Sequence, residues 1–167
     1  MESNVVLGGP EPKRAPSAPV VEGRIWRLLG WIGWVYIVVG GVDSLLTWLP
    51  LSLGQPEWEF GTITASLNGL PLPVLGLVLV LCANLMAGRV LVARVVIGLM
   101  LLLALIVLVA GLLYALNVPL ALRAVTDPVA RQGVLKAMIK TAVQVVAYPS
   151  GLIALAAIAW SMTRGRA

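Results

Sequence analysis

The stretch VVIGLMLLLALIVLVAGLLYAL, residues 95–116, decides the fold. None of its 22 residues is charged. As a helix it would rise roughly 33 Å, enough to cross a hydrocarbon core of about 30 Å. Ala104, Gly111 and Ala115 offer a small-residue seam along it. Arg89 and Arg94 precede it on a short connection, and Asn117-Val118-Pro119 is expected to end it.

Three further apolar runs flank this one. Leu28–Leu49 reads as the first span. At helical spacing Gly33, Tyr36, Gly40, Asp43, Ser44 and Thr47 share one side, and Trp31, Val35, Val38, Val42, Leu45, Leu46 and Leu49 the other. The first stripe should face protein, because small residues permit close helix approach and polar groups need partners. The second span is expected at about residues 70–88, with Pro71 and Pro73 in its first turn, where no intrahelical donor is lost. Gly69, Pro73, Gly76 and Ala83 form its small-residue seam. Near the C-terminus a helical pattern runs from Pro128 to Met162, 35 residues or roughly 52 Å. Its membrane portion is about residues 141–162. Lys140, Thr141, Gln144, Tyr148 and Gly151 should point inward, and Pro149 should kink the helix.

These runs predict an all-α integral membrane protein, a bundle of four transmembrane helices over residues 24–167. Residues 1–23, with Pro10, Pro12, Pro16 and Pro19, read as a disordered cytoplasmic tail. Gln55-Pro56 opens a helix over Pro56–Leu67 that is expected to lie at the external interface, with Trp58 and Phe60 at headgroup depth.

Composition agrees. Hydrophobic residues make up 60% of the chain and charged ones 11%, whereas a soluble domain is about a quarter charged. The net charge of +5 would suit nucleic acid, but the charges bracket apolar runs instead of lining one face. Anionic lipid headgroups fit better than nucleic acid as the partner. Histidine is absent, which removes the commonest general base and metal ligand. Cys82 is alone, so no internal disulfide can form. No metal-ligand spacing, phosphate-cradling loop or nucleophile elbow is present. The expectation is therefore a protein without catalytic, cofactor-binding or metal-binding residues.

Four spans put both termini on one side. That side would hold Lys13, Arg14, Arg24, Arg27, Arg89, Arg94, Arg164 and Arg166, and the other only Arg123, Arg131, Lys136 and Lys140. The positive-inside rule then places the termini in the cytoplasm of a bacterium, with the chain in its inner membrane.

Two groups of residues stand out as candidate sites. The intramembrane polar residues Asp43, Ser44, Gln144 and Tyr148 could form one cluster, serving either proton or solute handling or structural hydrogen bonding. Outside, the loop LPLSLGQPEWEF (residues 49–60) lies in an interval, Ile32–Gly88, that lacks lysine and arginine. Its Glu57, Trp58 and Glu59 are expected to dock on Arg131, Lys136 and Lys140, forming an external contact surface. On a helix Glu57 and Glu59 point about 200° apart, which argues against shared acid–base work.

The run QPEWEF, then LPLPVLGLVLVL, an Arg-flanked turn, a third span and NVPLALRAVTDPVARQ resembles the small four-span proteins of the cyanobacterial hormogonium polysaccharide secretion family, J type. The likeness covers about Trp48–Gln144 and rests on Pro56, Trp58, Pro73, Leu75, Gly76, Pro119, Leu120 and Asp127. This chain has a shorter linker between its third and fourth spans. The resemblance implies an accessory role in polysaccharide or exosortase-linked secretion and carries no catalytic residues. The expected function is a non-catalytic accessory or assembly subunit with a membrane-protein partner or self-association. Its rival is a small oligomeric channel or transporter.

Overall fold

The computed structural model describes residues 21–52, 54–124 and 127–164. Residues 1–20 of the expected tail lie outside them, and its last three residues already belong to the first helix. Among the described residues there are five helices: α1 (Val21–Thr47), α2 (Pro56–Gly69), α3 (Pro71–Met86), α4 (Val90–Ala124) and α5 (Pro128–Arg164). They supply four segments long and apolar enough to cross a membrane: Gly23–Thr47, Trp58–Met86, Val90–Leu120 and Arg131–Arg164. This is a multi-pass, all-helical membrane protein.

The second of those segments spans both α2 and α3. Pro71 and Pro73 lack the N–H groups that would bond back to Leu67 and Gly69, so the ladder breaks there. Leu70 nevertheless keeps helical angles (φ −56°, ψ −31°) and accepts a hydrogen bond from Val74 N at 3.1 Å. The prolines therefore mark a joint inside one helical arm. Ile63, Leu67 and Leu70, at helical spacing, are buried in a cluster with Val107 and Tyr114 of α4. The helix expected at Pro56–Leu67 is present, and its apolar face packs along the bundle in series with α3.

The reading of Asn117-Val118-Pro119 as a stop needs correction, because α4 continues through Pro119 to Ala124. A proline costs the helix one donor and some crowding. Tertiary contacts hold this turn: Asn117 is bonded to α2 and Val118 packs against the buried Tyr114 cluster.

Gly88, at φ +68°, turns the chain between α3 and α4. The main core lies between α3, α4 and α5, where Val80, Val96 and Met100 are fully buried and Leu152 nearly so. The second cluster joins α2, α4 and α5. The α1 helix packs chiefly on α3, and α5 chiefly on α4, so the layers run α1, α3, α4, α5.

The α1–α3 contact brings the two backbones together, with Val80 and Pro73 side chains beside them. A methyl group at Gly76 would lie 2.6 Å from the Gly33 carbonyl oxygen, and one at Gly33 would lie 2.8 Å from the Gly76 carbonyl oxygen. Further along, a methyl at Gly40 would meet Pro73 Cδ at 2.5 Å. These glycines are the inward stripe of the first span meeting the seam of the second. The opposite stripe, from Trp31 to Leu49, is exposed.

On α5 the inward positions are Thr141, Leu152, Ala156, Ala159 and Thr163, with Gln144 and Tyr148 half-buried. Lys140 and Gly151, expected on that face, are exposed. An ammonium group turned into this apolar seam would be desolvated without an anion, so the helix rotates it outward.

Candidate functional site

At the end of the bundle bearing the α1–α2 loop, polar and aromatic groups from four helices meet. The loop stretch 49–60 enters through Glu59, whose Oε1 accepts from Gly54 N at 2.9 Å and whose Oε2 accepts from Asn117 Nδ2 at 2.6 Å. One turn inward, Phe60 stacks on Tyr114 with centroids 4.9 Å apart and planes at 22°. Trp48, just past α1, donates from Nε1 to Ser66 Oγ at 3.0 Å, and its ring meets the Trp58 edge at 5.9 Å. The loop is thus clamped to α2 and α4.

Of the two carboxylates expected to dock on the basic start of α5, Glu59 bonds elsewhere. No ion pair joins Glu59 to Arg123, Arg131, Lys136 or Lys140 among the described residues, and all four cations are exposed. The side chain of Glu57 lies outside the described residues. Because α2 runs antiparallel to α4, the group facing Glu59 is Asn117. A neutral amide meets the carboxylate without the cost of desolvating a second charge. Trp58 stays in the surface through Trp48.

The expected polar cluster divides between two helices. Asp43 on α1 is exposed; its carboxylate comes close to Gly69, where an added methyl would lie 3.1 Å from Oδ2. Thr47 Oγ1 donates to the Asp43 carbonyl at 2.8 Å. Ser44 lines an apolar cleft of about 550 Å³ with Trp48, Ser66, Pro73 and Leu103. Gln144 on α5 donates from Nε2 to Asn68 Oδ1 at 3.4 Å, and Tyr148 packs into the Tyr114 cluster. Asp43 and Gln144 therefore approach consecutive residues, Gly69 and Asn68, from α1 and α5. No hydrogen bond connects them, since the α2–α3 joint stands between the helices that carry them.

Sequence reasoning missed Asn68, Ser66, Tyr114 and Asn117. A signal existed for the last: Glu59 and Asn117 are equidistant in sequence from Gly88, so any antiparallel hairpin turning there pairs them. Tyr114 Oη, Thr141 Oγ1 and Gln144 Oε1 are buried without a hydrogen-bond partner among the described residues. Among the described residues no three His, Cys, Asp or Glu side chains converge as a metal site would require.

The family model described as HpsJ-like protein matches residues 24–127, more than half of the chain. The chain belongs to the HpsJ-like family. The match reaches further into α1 than the resemblance over Trp48–Gln144 and stops at Asp127, before α5. The matched stretch includes the residues of the Gly33–Gly76 crossing and of the Glu59–Asn117 bond. It leaves out Gln144 and Tyr148. No curated protein and no solved structure matches this chain.

Proposed function

We propose that this HpsJ-like protein is a non-catalytic accessory or assembly subunit of a larger bacterial membrane complex that secretes polysaccharide. Family membership is compatible with a role in hormogonium polysaccharide secretion. The observation that carries the accessory reading is the use made of the polar groups inside the matched region. Glu59, Asn117, Trp48 and Ser66 bond to one another's helices and tie the loop to the bundle. Meanwhile α1, held by one seam, presents Trp31, Val35, Val38 and Leu45 outward, an apolar face available to a membrane partner.

The same reading places the chain in the inner membrane with both termini cytoplasmic, following the distribution of arginine and lysine. Arg24, Arg27, Arg89, Arg94 and Arg164 gather at the end with the Gly88 turn, where Glu22 of α1 also falls, and Asp43, Glu59 and Asp127 lie toward the other. Mild-detergent copurification from the native organism tests the proposal: a reproducible membrane partner is expected, lost when Trp31 and Val35 are both changed to serine. Recovery of the chain alone, with wild-type secretion in a deletion strain, would sink it.

The transport reading draws on the buried unpartnered atoms of Tyr114, Thr141 and Gln144, which could line a short polar path. It predicts that Asp43→Asn and Gln144→Leu each abolish a solute or proton flux in reconstituted vesicles. The accessory reading predicts no flux to abolish.

A further inference from the structure

At the end of the bundle away from the loop, α4 and α5 carry a feature the function above does not use. Arg94 of α4 and Arg164 of α5 both lie over the ring of Trp160, each guanidinium carbon 5.8 Å from its centroid. Such contacts are favourable singly, and here two cations share one ring. Arg94 Nε is buried and has no hydrogen-bond partner among the described residues. An acidic group could satisfy it, yet the acidic side chains described, those of Asp43, Glu59 and Asp127, belong to the opposite end.

From Arg94 a cleft of about 410 Å³ runs between α4 and α5 into the apolar part of the span. Its walls include Ile97, Gly98, Leu101, Ala157 and Trp160. Gly98 is open: a methyl group built there meets nothing within 4 Å. The cleft is thus cationic at one end and hydrocarbon-lined at the other, the shape and polarity of an anionic amphiphile.

We infer that this cleft holds one anionic diacyl phospholipid, its phosphate between Arg94 and Arg164 and an acyl chain along Gly98. The phosphate accepts the hydrogen bond that Arg94 Nε otherwise lacks and offers its charge to both guanidinium groups. Trp160, at the interface, keeps both cations in place while they are solvated by headgroups. The site fixes lipid to the α4–α5 pair, with Arg94 inside the family match and Arg164 beyond it.

The test is native mass spectrometry of the full chain released from mild detergent, loaded with phosphatidylglycerol or with phosphatidylcholine of the same acyl chains. One phosphatidylglycerol should be retained in preference to phosphatidylcholine. Removing both cations (Arg94→Gln with Arg164→Gln) should weaken retention about thirtyfold, at about fivefold for each arginine. Arg94→Lys should retain more than Arg94→Gln. Gly98→Leu fills open space, so the bundle should stay folded by circular dichroism while the lipid is displaced. Arg24→Gln with Arg27→Gln removes equal charge at the same end of the bundle but on the opposite flank, and should change little. Equal retention of both lipids, an unaltered Gly98→Leu variant, or equal losses from the two double-arginine variants would each overturn the assignment. So would loss in the Arg94/Arg164 variant that inorganic phosphate reproduces by competition while Gly98→Leu has no effect.

Discussion

Two helix contacts in this molecule are built on opposite plans. The α1–α3 seam uses absence: Gly33, Gly40 and Gly76 let backbones and Pro73 touch. The α4–α5 pair, joined by α2 and α3, uses presence: Met100, Leu152, Ala104 and Ala156 interdigitate, with Val145 seated against Gly111. Lipid tails are as apolar as leucine, so neither contact gains much from burial alone. What each gains is close packing, and the two plans should differ in how they fail. At Gly76 the glycine seam meets a backbone carbonyl and a backbone nitrogen, which have no room to adjust. A side-chain seam can move a rotamer.

The largest loss is therefore expected from Gly76→Val. Its branched side chain would press on the Gly33 carbonyl and the Ile37 backbone nitrogen, costing about 3 kcal/mol and detaching α1. Disulfide trapping between cysteines placed at Gly30 and Ala83 should report that detachment as lost cross-linking; unchanged trapping would erase the distinction between the seams. Gly111→Ala is next, at about 2 kcal/mol, since the new methyl would overlap the branched end of Val145. Because that neighbour is a side chain, Val145→Ala should recover most of the loss in thermal unfolding in detergent. Failure of the rescue would mean that this contact too is backbone-limited.

Asn117→Ala removes the donor to Glu59 and should cost about 1.5 kcal/mol, shared between helix pairing and loop order. Protection of the loop from proteolysis should fall along with the melting temperature. The smallest effect is expected at Gly41, one residue from Gly40 but facing open space. Gly41→Ala should change stability by no more than about 1 kcal/mol and in the favourable direction, through helix propensity. A loss as large as that at Gly76 would show that helix flexibility, and not contact, governs the first span.

Much of this was legible in the residues. The inward stripe of α1 and the seam of α3 could be read separately, because small residues recurring at helical spacing mark a face. Thr141, Gln144 and Tyr148 were placed toward the bundle on the same ground. Lys140 and Gly151 were assigned to that face too widely, since a helical stripe about 100° broad has edges that only a neighbour can define. Asp43 and Gln144 were grouped as polar residues at similar depth. Depth follows from sequence position, whereas which helix stands next to which does not.

By itself, the sequence determined that the chain is helical and crosses a membrane four times, because uncharged runs of such length have no other stable solution. It also determined the faces of the first two spans, through periodicity. Only the tertiary structure decided that α1 and α5 stand on opposite flanks and that Arg94 and Arg164 converge on one tryptophan. Those pairings depend on helix order and rotation, which are set by the fit of side chains in three dimensions and leave no periodic trace in the chain.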